Sequence, residues 1–294
     1  REFRALRLME LIVRVPGSCG EVMQGFWQGR PFLVTCPIDR YSTVVVRPGT
    51  GRLVGGGAKA RRALALGQAY CRCDSLAHDF FLTSELPPGK GMASSSADIC
   101  AVLAAVAAVN QGHLSEGDIG RLAASIEPTD GVFCQGLAVI QPETGELLHV
   151  FPHVLPLAIA IFDVGGTVDT VAFHQARPDR ARPDAAALFL GWQLLSSSLT
   201  DRQIGQAATL SALANQPWLP KPDFPAFLRA ARRHPAVAGV NVAHSGTVAG
   251  VFFCQSASQA DREGVIASLS RQFSHWIYTE TVHLRSGGIS IENR

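Results

Sequence analysis

Aromatic residues are scarce in this chain of 294 residues, at 7%. A sugar-binding surface built on ring stacking therefore has little to draw on. Charge is sparse as well: Asp, Glu, Lys and Arg make up 17%, with a formal net charge of +2. That balance leaves no electrostatic footprint for nucleic acid. Long apolar runs are missing, since stretches such as 99–109 and 154–162 are too short to span a bilayer. The seven cysteines form no pair of C-x-x-C units, and Cys71-Arg72-Cys73 lacks zinc-knuckle spacing. Reduced thiols are expected, and with no signal-like segment before the first core segment, so is a cytoplasmic location. The chain opens at Arg1 and Met9 offers a natural start, so residues 1–8 read as vector-derived. Repeats and low-complexity tracts are absent. The hydrophobic share of 47% indicates a globular protein with a large core, and the length allows two domains.

The most informative stretch is Leu86-Pro87-Pro88-Gly89-Lys90-Gly91-Met92-Ala93-Ser94-Ser95-Ser96-Ala97-Asp98. Apolar residues follow at 99, 102, 103 and 106, the spacing of one helix face, which predicts a helix over 95–110. Ser94 or Ser95 is then the expected N-cap. A helix start offers unpaired N–H groups and the positive end of the dipole, glycines let the backbone wrap an anion, and Lys90 adds charge. These features make a phosphate cradle. A Walker A loop is excluded because no Gly-Lys-Ser/Thr triplet closes the stretch. A tight turn with a serine cap accounts for the same residues without any ligand.

Pro-x-Gly-x-Gly-Met-Ala-Ser-Ser-Ser-Ala resembles the central motif of the GHMP kinases, a family that includes galactokinase, homoserine kinase and mevalonate kinase. Those enzymes usually carry Leu-Gly at Met92-Ala93 and Ala at Ser96. Ala93 in place of Gly requires a negative φ. The resemblance implies that Pro87 to Ala97 bind ATP. Upstream, Leu11 to Val15 predicts a strand, and Pro16-Gly17-Ser18-Cys19-Gly20-Glu21 is a polar, glycine-bounded loop that either covers a ligand or connects two strands. It resembles the first motif of the family, and its Ser-Cys-Gly-Glu form is most similar to the L-threonine kinase branch. Ser18, Cys19, Gly20 and Glu21 are then implied to line the substrate. Cys19 lacks a neighbouring His to activate it as a nucleophile.

Strands are predicted at 32–35, 42–46 and 80–84, a loop at 47–57 and an amphipathic helix at 58–78, with Lys59, Arg61 and Arg62 on a solvated face. A further helix is predicted over 114–125, capped by Ser115. Asp130 lies in Glu127-Pro128-Thr129-Asp130-Gly131, between that helix and the strand 137–140. An Asp-Gly turn is one reading of it. The resemblance implies the other, in which Asp130 is the general base and Glu127 joins Ser95 in holding Mg²⁺.

After a hairpin turn at 142–146, residues 147–156 are the expected crossing to a second domain, followed by a buried strand over 157–164. Asp163-Val164-Gly165-Gly166-Thr167 also fits the phosphate loop of actin-like kinases. In the threonine-kinase-like branch the same region borders the substrate, with Asp169 and Thr170 as its polar pair. Helices are predicted near 184–197, 201–214, 224–233 and 258–272, and strands at 237–242, 251–254 and 276–284. His244-Ser245-Gly246-Thr247 resembles the third family motif, a loop closing on phosphates, which adds Ser245 and Gly246 to the ATP set; a plain hairpin is the alternative.

The expected fold is α+β in two domains, 9–152 and 153–294, and the resemblance puts the active site in the cleft between them. It implies transfer of the ATP γ-phosphoryl to a small amino acid, L-threonine giving O-phospho-L-threonine, for the aminopropanol linker of cobalamin. ATP and Mg²⁺ are the expected cofactors, and the partners are small molecules, with no nucleic acid and no membrane. A homoserine kinase, a non-catalytic nucleotide sensor on the same fold, and an actin-like kinase remain alternatives. Oligomeric state is left open.

Overall fold

Valine, isoleucine and other strand formers cluster at 11–15, 32–34 and 44–46, residue types that suit a pleated, buried surface. In the computed structural model, which describes residues 10–110, 112, 114–168, 183–197, 199–217 and 219–294, they form two long antiparallel strands. Strand β1 (Leu11–Trp27) folds back on β2 (Arg30–Pro48) through Gln28 and Gly29, both at positive φ, the twist that a two-residue hairpin needs. The expected loop at 16–21 is instead part of β1. Its pairing to β2 shifts register between Pro16 and Ser18, between Ser18 and Glu21, and again before Met23. The extra residues are taken up as bulges, with Gly20 at φ +57°, so the strand continues while its side chains are re-aimed.

The first sheet has seven strands. Beyond β2 lie β4 (His78–Ser84) and the short β3 (Leu53–Val54), which occupies part of the loop predicted over 47–57. The hairpin of β5 (Leu137–Gln141) and β6 (Glu146–Phe151) attaches to β2 through β5. Strand β6 absorbs much of the expected crossing, which shrinks to 152–157.

Three helices belong with this sheet: α1 (Ala58–Tyr70), α2 (Ser94–Val109) and α3 (Glu116–Ala124). Helix α1 stops eight residues short of its expected end, where Arg72 turns at φ +53°. Helix α2 is almost wholly buried, and its Ala and Val side chains let α1 approach so closely that a Cβ on Gly67 would meet Val106 at 3.2 Å. Helix α3 starts as expected, with Ser115 and Asp118 forming a reciprocal capping box.

The chain then enters a four-stranded sheet ordered β10-β7-β9-β8, from β7 (Ala158–Asp163), β8 (Val237–Val242), β9 (Val248–Phe253) and β10 (Ile277–His283). Helices α4 (Ala185–Ser197), α5 (Asp201–Ala214), α6 (Phe224–Arg232) and α7 (Gln259–Gln272) complete this half. Phe227 stacks on Trp276 with centroids 4.1 Å apart, and Phe162 meets Phe227 edge-on at 5.2 Å. Burying such a side chain contributes about 1.5–3 kcal/mol. The architecture is α+β, as the sequence predicts. One segment breaks the colinear division: β11 (Ser290–Asn293) crosses back and pairs with β1 in the first sheet. Among the described residues no helix is long and apolar enough to cross a membrane.

Candidate active site

The loop before α2 is shaped by three left-handed residues in alternation: Gly89 at φ +71°, Gly91 at +82° and Ala93 at +55°. Ala93, not a serine, occupies the N-cap, and no side chain caps the helix. Both expectations about this turn are corrected. The negative φ anticipated for Ala93 is not adopted, although the left-handed conformation costs an Ala about 1–2 kcal/mol. The serines consequently lie inside the first turn, where the backbone N–H groups of Ser94, Ser95 and Ser96 have no intrahelical partner by the geometry of any helix start.

All three stretches singled out in the sequence converge on this loop. From β1, the Ser18 N–H donates to Met92 O at 3.0 Å and the Gly20 N–H to Gly91 O at 3.2 Å. From the turn between β8 and β9, Thr247 and Val248 N–H groups both donate to Lys90 O, at 3.0 and 3.2 Å. Lys221, whose ammonium is pushed down to about 8 by burial, donates to Gly246 O at 2.8 Å and steadies that turn. The Asp163–Thr167 loop also reaches here, since Val168 N–H donates to Gly89 O at 3.0 Å.

Between these elements lies a cleft of about 420 Å³. Pro88, Gly89, Gly91, Met92, Ala93 and Ser94 to Ser96 line one wall, Glu127 to Asp130 another, and Ser245 with His244 a third. Pro87, Ala97 and Gly246 stand behind the lining rather than in it. Lys90 is likewise absent from the lining, against expectation. Its ammonium turns away to Asp163 Oδ2 and Gly166 O, each at 2.7 Å, where a carboxylate attracts it more strongly than open solvent. The same contact engages Asp163, the carboxylate that an actin-like phosphate loop would need.

Asp130 faces the cleft from the turn before β5. Ser96 Oγ donates to its Oδ2 at 3.1 Å and accepts from its backbone N–H at 3.2 Å. Gly131 N–H is held by Thr35 Oγ1 at 2.9 Å, which fixes the turn to β2. Burial pushes the Asp130 carboxyl up to about 6, with the charge of Glu127 adding to the rise and hydrogen bonds from Glu21 and Ser96 opposing it. Such a group is ionised at neutral pH yet near enough to it to accept a proton well.

Glu127 is buried and ion-paired to Lys59 of α1. Its second oxygen, Oε1, is buried with no hydrogen-bond partner. Of the first motif, only Glu21 reaches the cleft lining. Ser18 and Cys19 are buried in the β1 bulge beneath β8 and β9, where Cys19 O and Glu21 O accept from Asn241 Nδ2. Gly20 packs so tightly there that a Cβ would sit 2.8 Å from Ala243 N. Burial drives the Cys19 thiol far above its ordinary range, which removes it as a nucleophile. Asp169 and Thr170 lie outside the described residues.

Residues 58–136 match the family described as GHMP kinases N terminal domain. Over 287 residues the chain is 30% identical to the L-threonine kinase of Citrobacter freundii, covering 96% of this chain and 99% of that protein. It is 32% identical over 290 residues to the L-threonine kinase of Salmonella typhimurium, covering 96% and 95%. The chain belongs to the GHMP kinases. Solved structures agree at the level of fold. The homoserine kinase of Cytophaga hutchinsonii superposes with a TM-score of 0.66 at 14% identity, over 99% of this chain and 100% of that one. The mevalonate kinase of Methanococcus jannaschii gives 0.63 at 11% identity, over 99% and 98%.

Two cleft residues of this GHMP kinase escape a reading by motif. Asp98, one turn into α2, accepts a hydrogen bond from Ser42 and is raised above its usual range by burial. Lys59 reads as part of a solvated face, yet it lines the cleft and neutralises Glu127. A signal for it was present: a lysine in the first turn of a helix opposes the dipole, and α1 carries no acid there to offset it.

Proposed function

We propose that this GHMP kinase transfers the γ-phosphoryl group of ATP to the side-chain hydroxyl of L-threonine, giving O-phospho-L-threonine and ADP. The observation that carries the reading is the placement of Asp130 in the cleft lining beside the uncapped first turn of α2, hydrogen-bonded to its Ser96. A phosphate seated on the N–H groups of 94–96 would share that space with a hydroxyl next to Asp130. The near full-length likeness to L-threonine kinases supports threonine as acceptor. The further assignment to cobalamin linker synthesis rests on the resemblance of Ser18-Cys19-Gly20-Glu21 to the L-threonine kinase branch.

In the reaction the threonine O–H bond breaks as its oxygen bonds the γ-phosphorus, and the bond from that phosphorus to the ADP oxygen breaks in line. The hydroxyl proton goes to Asp130. Phosphoryl transfer asks mainly for positioning and charge stabilisation. Gly89, Gly91 and the first turn of α2 offer backbone donors, and Ser245 closes from the C-terminal half. Lys59 offers a cation at the cleft.

Mg²⁺ fits the residues present. Among the described residues no cluster of three or more His, Cys, Asp or Glu is arranged to hold a metal. A kinase magnesium ion usually takes only one or two protein ligands, the rest being phosphate and water oxygens. Ser95 lines the cleft, and the unpartnered Oε1 of Glu127 is the acceptor that a cation would satisfy. When bound, the ion would neutralise charge on the phosphates.

The test is product analysis. Purified protein with Mg-ATP should phosphorylate threonine with the highest kcat/KM, serine more weakly, and mevalonate and galactose not at all. Homoserine outperforming threonine would move the acceptor to the sister activity, and ADP release only with a sugar would refute the amino-acid reading.

A further inference from the structure

Glu21 enters the cleft from the bulge of β1 and Asp130 enters it from the turn before β5. Glu21 is 4% exposed, its Oε2 has no partner, and its carboxyl hydrogen-bonds to that of Asp130. Two carboxyl groups can join in this way only if one of them carries a proton. The Lys or Arg among the described cleft-lining residues is Lys59, and it is paired to Glu127. An ionised Glu21 would thus be a second buried anion beside Asp130 without a cation of its own.

We propose that Glu21 is a positioning residue for Asp130: it holds the shared proton and donates it as a hydrogen bond to the Asp130 carboxylate, while Ser96 supplies a second donor from α2. This deepens the reading of Asp130 as proton acceptor and rests on it. With two donors in place the carboxylate has one orientation and keeps a free lone pair for the incoming hydroxyl proton. The Glu21 proton stays where it is during transfer. A rival role exists for the same side chain, as an ionised partner for the ammonium of an amino acid.

The surroundings favour the neutral form. Burial, followed by the charge and hydrogen bond of Asp130, pushes the Glu21 carboxyl well above its usual range. The titratable groups facing the pair are Glu127 across the cleft, Cys19 and Cys36 on β1 and β2, and Cys100 on α2. His244, from the turn after β8, is engaged through Nδ1 with Gln24. None of the thiols is ionised near neutrality, since burial raises each of them.

Steady-state kinetics of the full chain across pH, with threonine and Mg-ATP varied, separate the roles. Glu21→Ala should lower kcat by about tenfold or more, the worth of a hydrogen bond to a charged group, and move the acid limb of kcat to higher pH. Glu21→Gln, which retains an N–H donor, should recover most of that loss while threonine KM moves less than kcat. Ser96→Ala, a small change expected to leave the fold intact, should also move the limb upward. If Glu21→Gln instead raises threonine KM by about tenfold or more with kcat kept, the residue is the ammonium partner and the proposal is overturned. Asp130→Asn distinguishes the two levels. A limb that vanishes in Asp130→Asn but is unmoved by Glu21→Ala and Ser96→Ala overturns this proposal alone; a limb that persists in Asp130→Asn overturns the base reading and this proposal with it.

Discussion

A Cβ placed on Gly246 would sit 2.3 Å from the backbone nitrogen of Gly91, and one placed on Gly91 would sit 3.1 Å from Gly246 Cα. The two glycines press backbone to backbone, and through them the turn between β8 and β9 locks onto the loop before α2. Gly91 is constrained twice, because its φ of +82° also excludes ordinary side chains. Gly246→Ala should cost about 1–3 kcal/mol, as overpacking does, and raise the KM for ATP. Gly91→Ala should be worse on both counts. Thermal denaturation and ATP titration check this; unchanged ATP KM in both variants would separate the contact from nucleotide binding.

Asp130 carries the pH dependence. Its carboxyl titrates at about 6, above the ordinary aspartate value. As a base it works ionised, so kcat should fall as pH drops through that value. Stability runs the other way. A carboxyl raised on folding favours the protonated native state, so its contribution declines as pH rises from the unfolded value to about 6 and stays low above it. Asp130→Asn should therefore raise Tm at pH 8 more than at pH 5, while lowering kcat about 10²–10⁴-fold with ATP affinity kept. A kcat loss below roughly tenfold would mean that the residue only shapes its turn.

Lys59→Met removes the counter-ion of a buried carboxylate. Breaking a fully buried pair costs about 3–5 kcal/mol, and the 43% exposure of the Lys59 side chain reduces that here. The variant should lose stability and bind Mg-ATP more weakly, because the buried Glu127 carboxylate is left without its partner. Thermal denaturation and ATP titration check this, and an unchanged Tm together with unchanged ATP affinity would contradict it.

Lys90 and Asp163 join the two halves through a partly buried pair at 2.7 Å. A double-mutant cycle with Lys90→Met and Asp163→Asn should show a coupling of about 1 kcal/mol in unfolding free energy. Lys90→Met alone should weaken ATP binding only modestly, because the ammonium faces Asp163 rather than the cleft. A loss of ATP affinity of about a hundredfold, near 3 kcal/mol, would show instead that Lys90 swings onto phosphate.

The parts of the site that are local in sequence were readable from it. The Gly-x-Gly loop runs straight into α2, the Ser115 box opens α3, and Asp130 sits one turn from β5, so short-range chemistry shows each of them. What stayed hidden depends on partners far along the chain. Lys59 meets Glu127 across 68 positions, and nothing near either residue announces the pair except an ill-placed charge at a helix start. The bulged course of β1 is imposed by β2 on one side and by Asn241 on the other, so a polar glycine-rich segment that reads as a loop is held as strand. Ala93 adopts the left-handed region directly after residues 89–92, whose carbonyls are gripped by other elements, a tertiary demand that overrides its own preference.

The return of β11 to the first sheet bears on how the protein is made. Arg294 and Glu10 exchange backbone hydrogen bonds at 2.9 Å in both directions, and Leu11 stands opposite Asn293. During synthesis β1 therefore leaves the ribosome before the other strands of its sheet, and its outer neighbour β11 is the last of them to emerge. Throughout that interval its Leu-Ile-Val edge is unpaired, a template for another nascent copy. Translation speed and chaperone supply, more than any change in the cleft, should govern how much of this protein reaches the folded state.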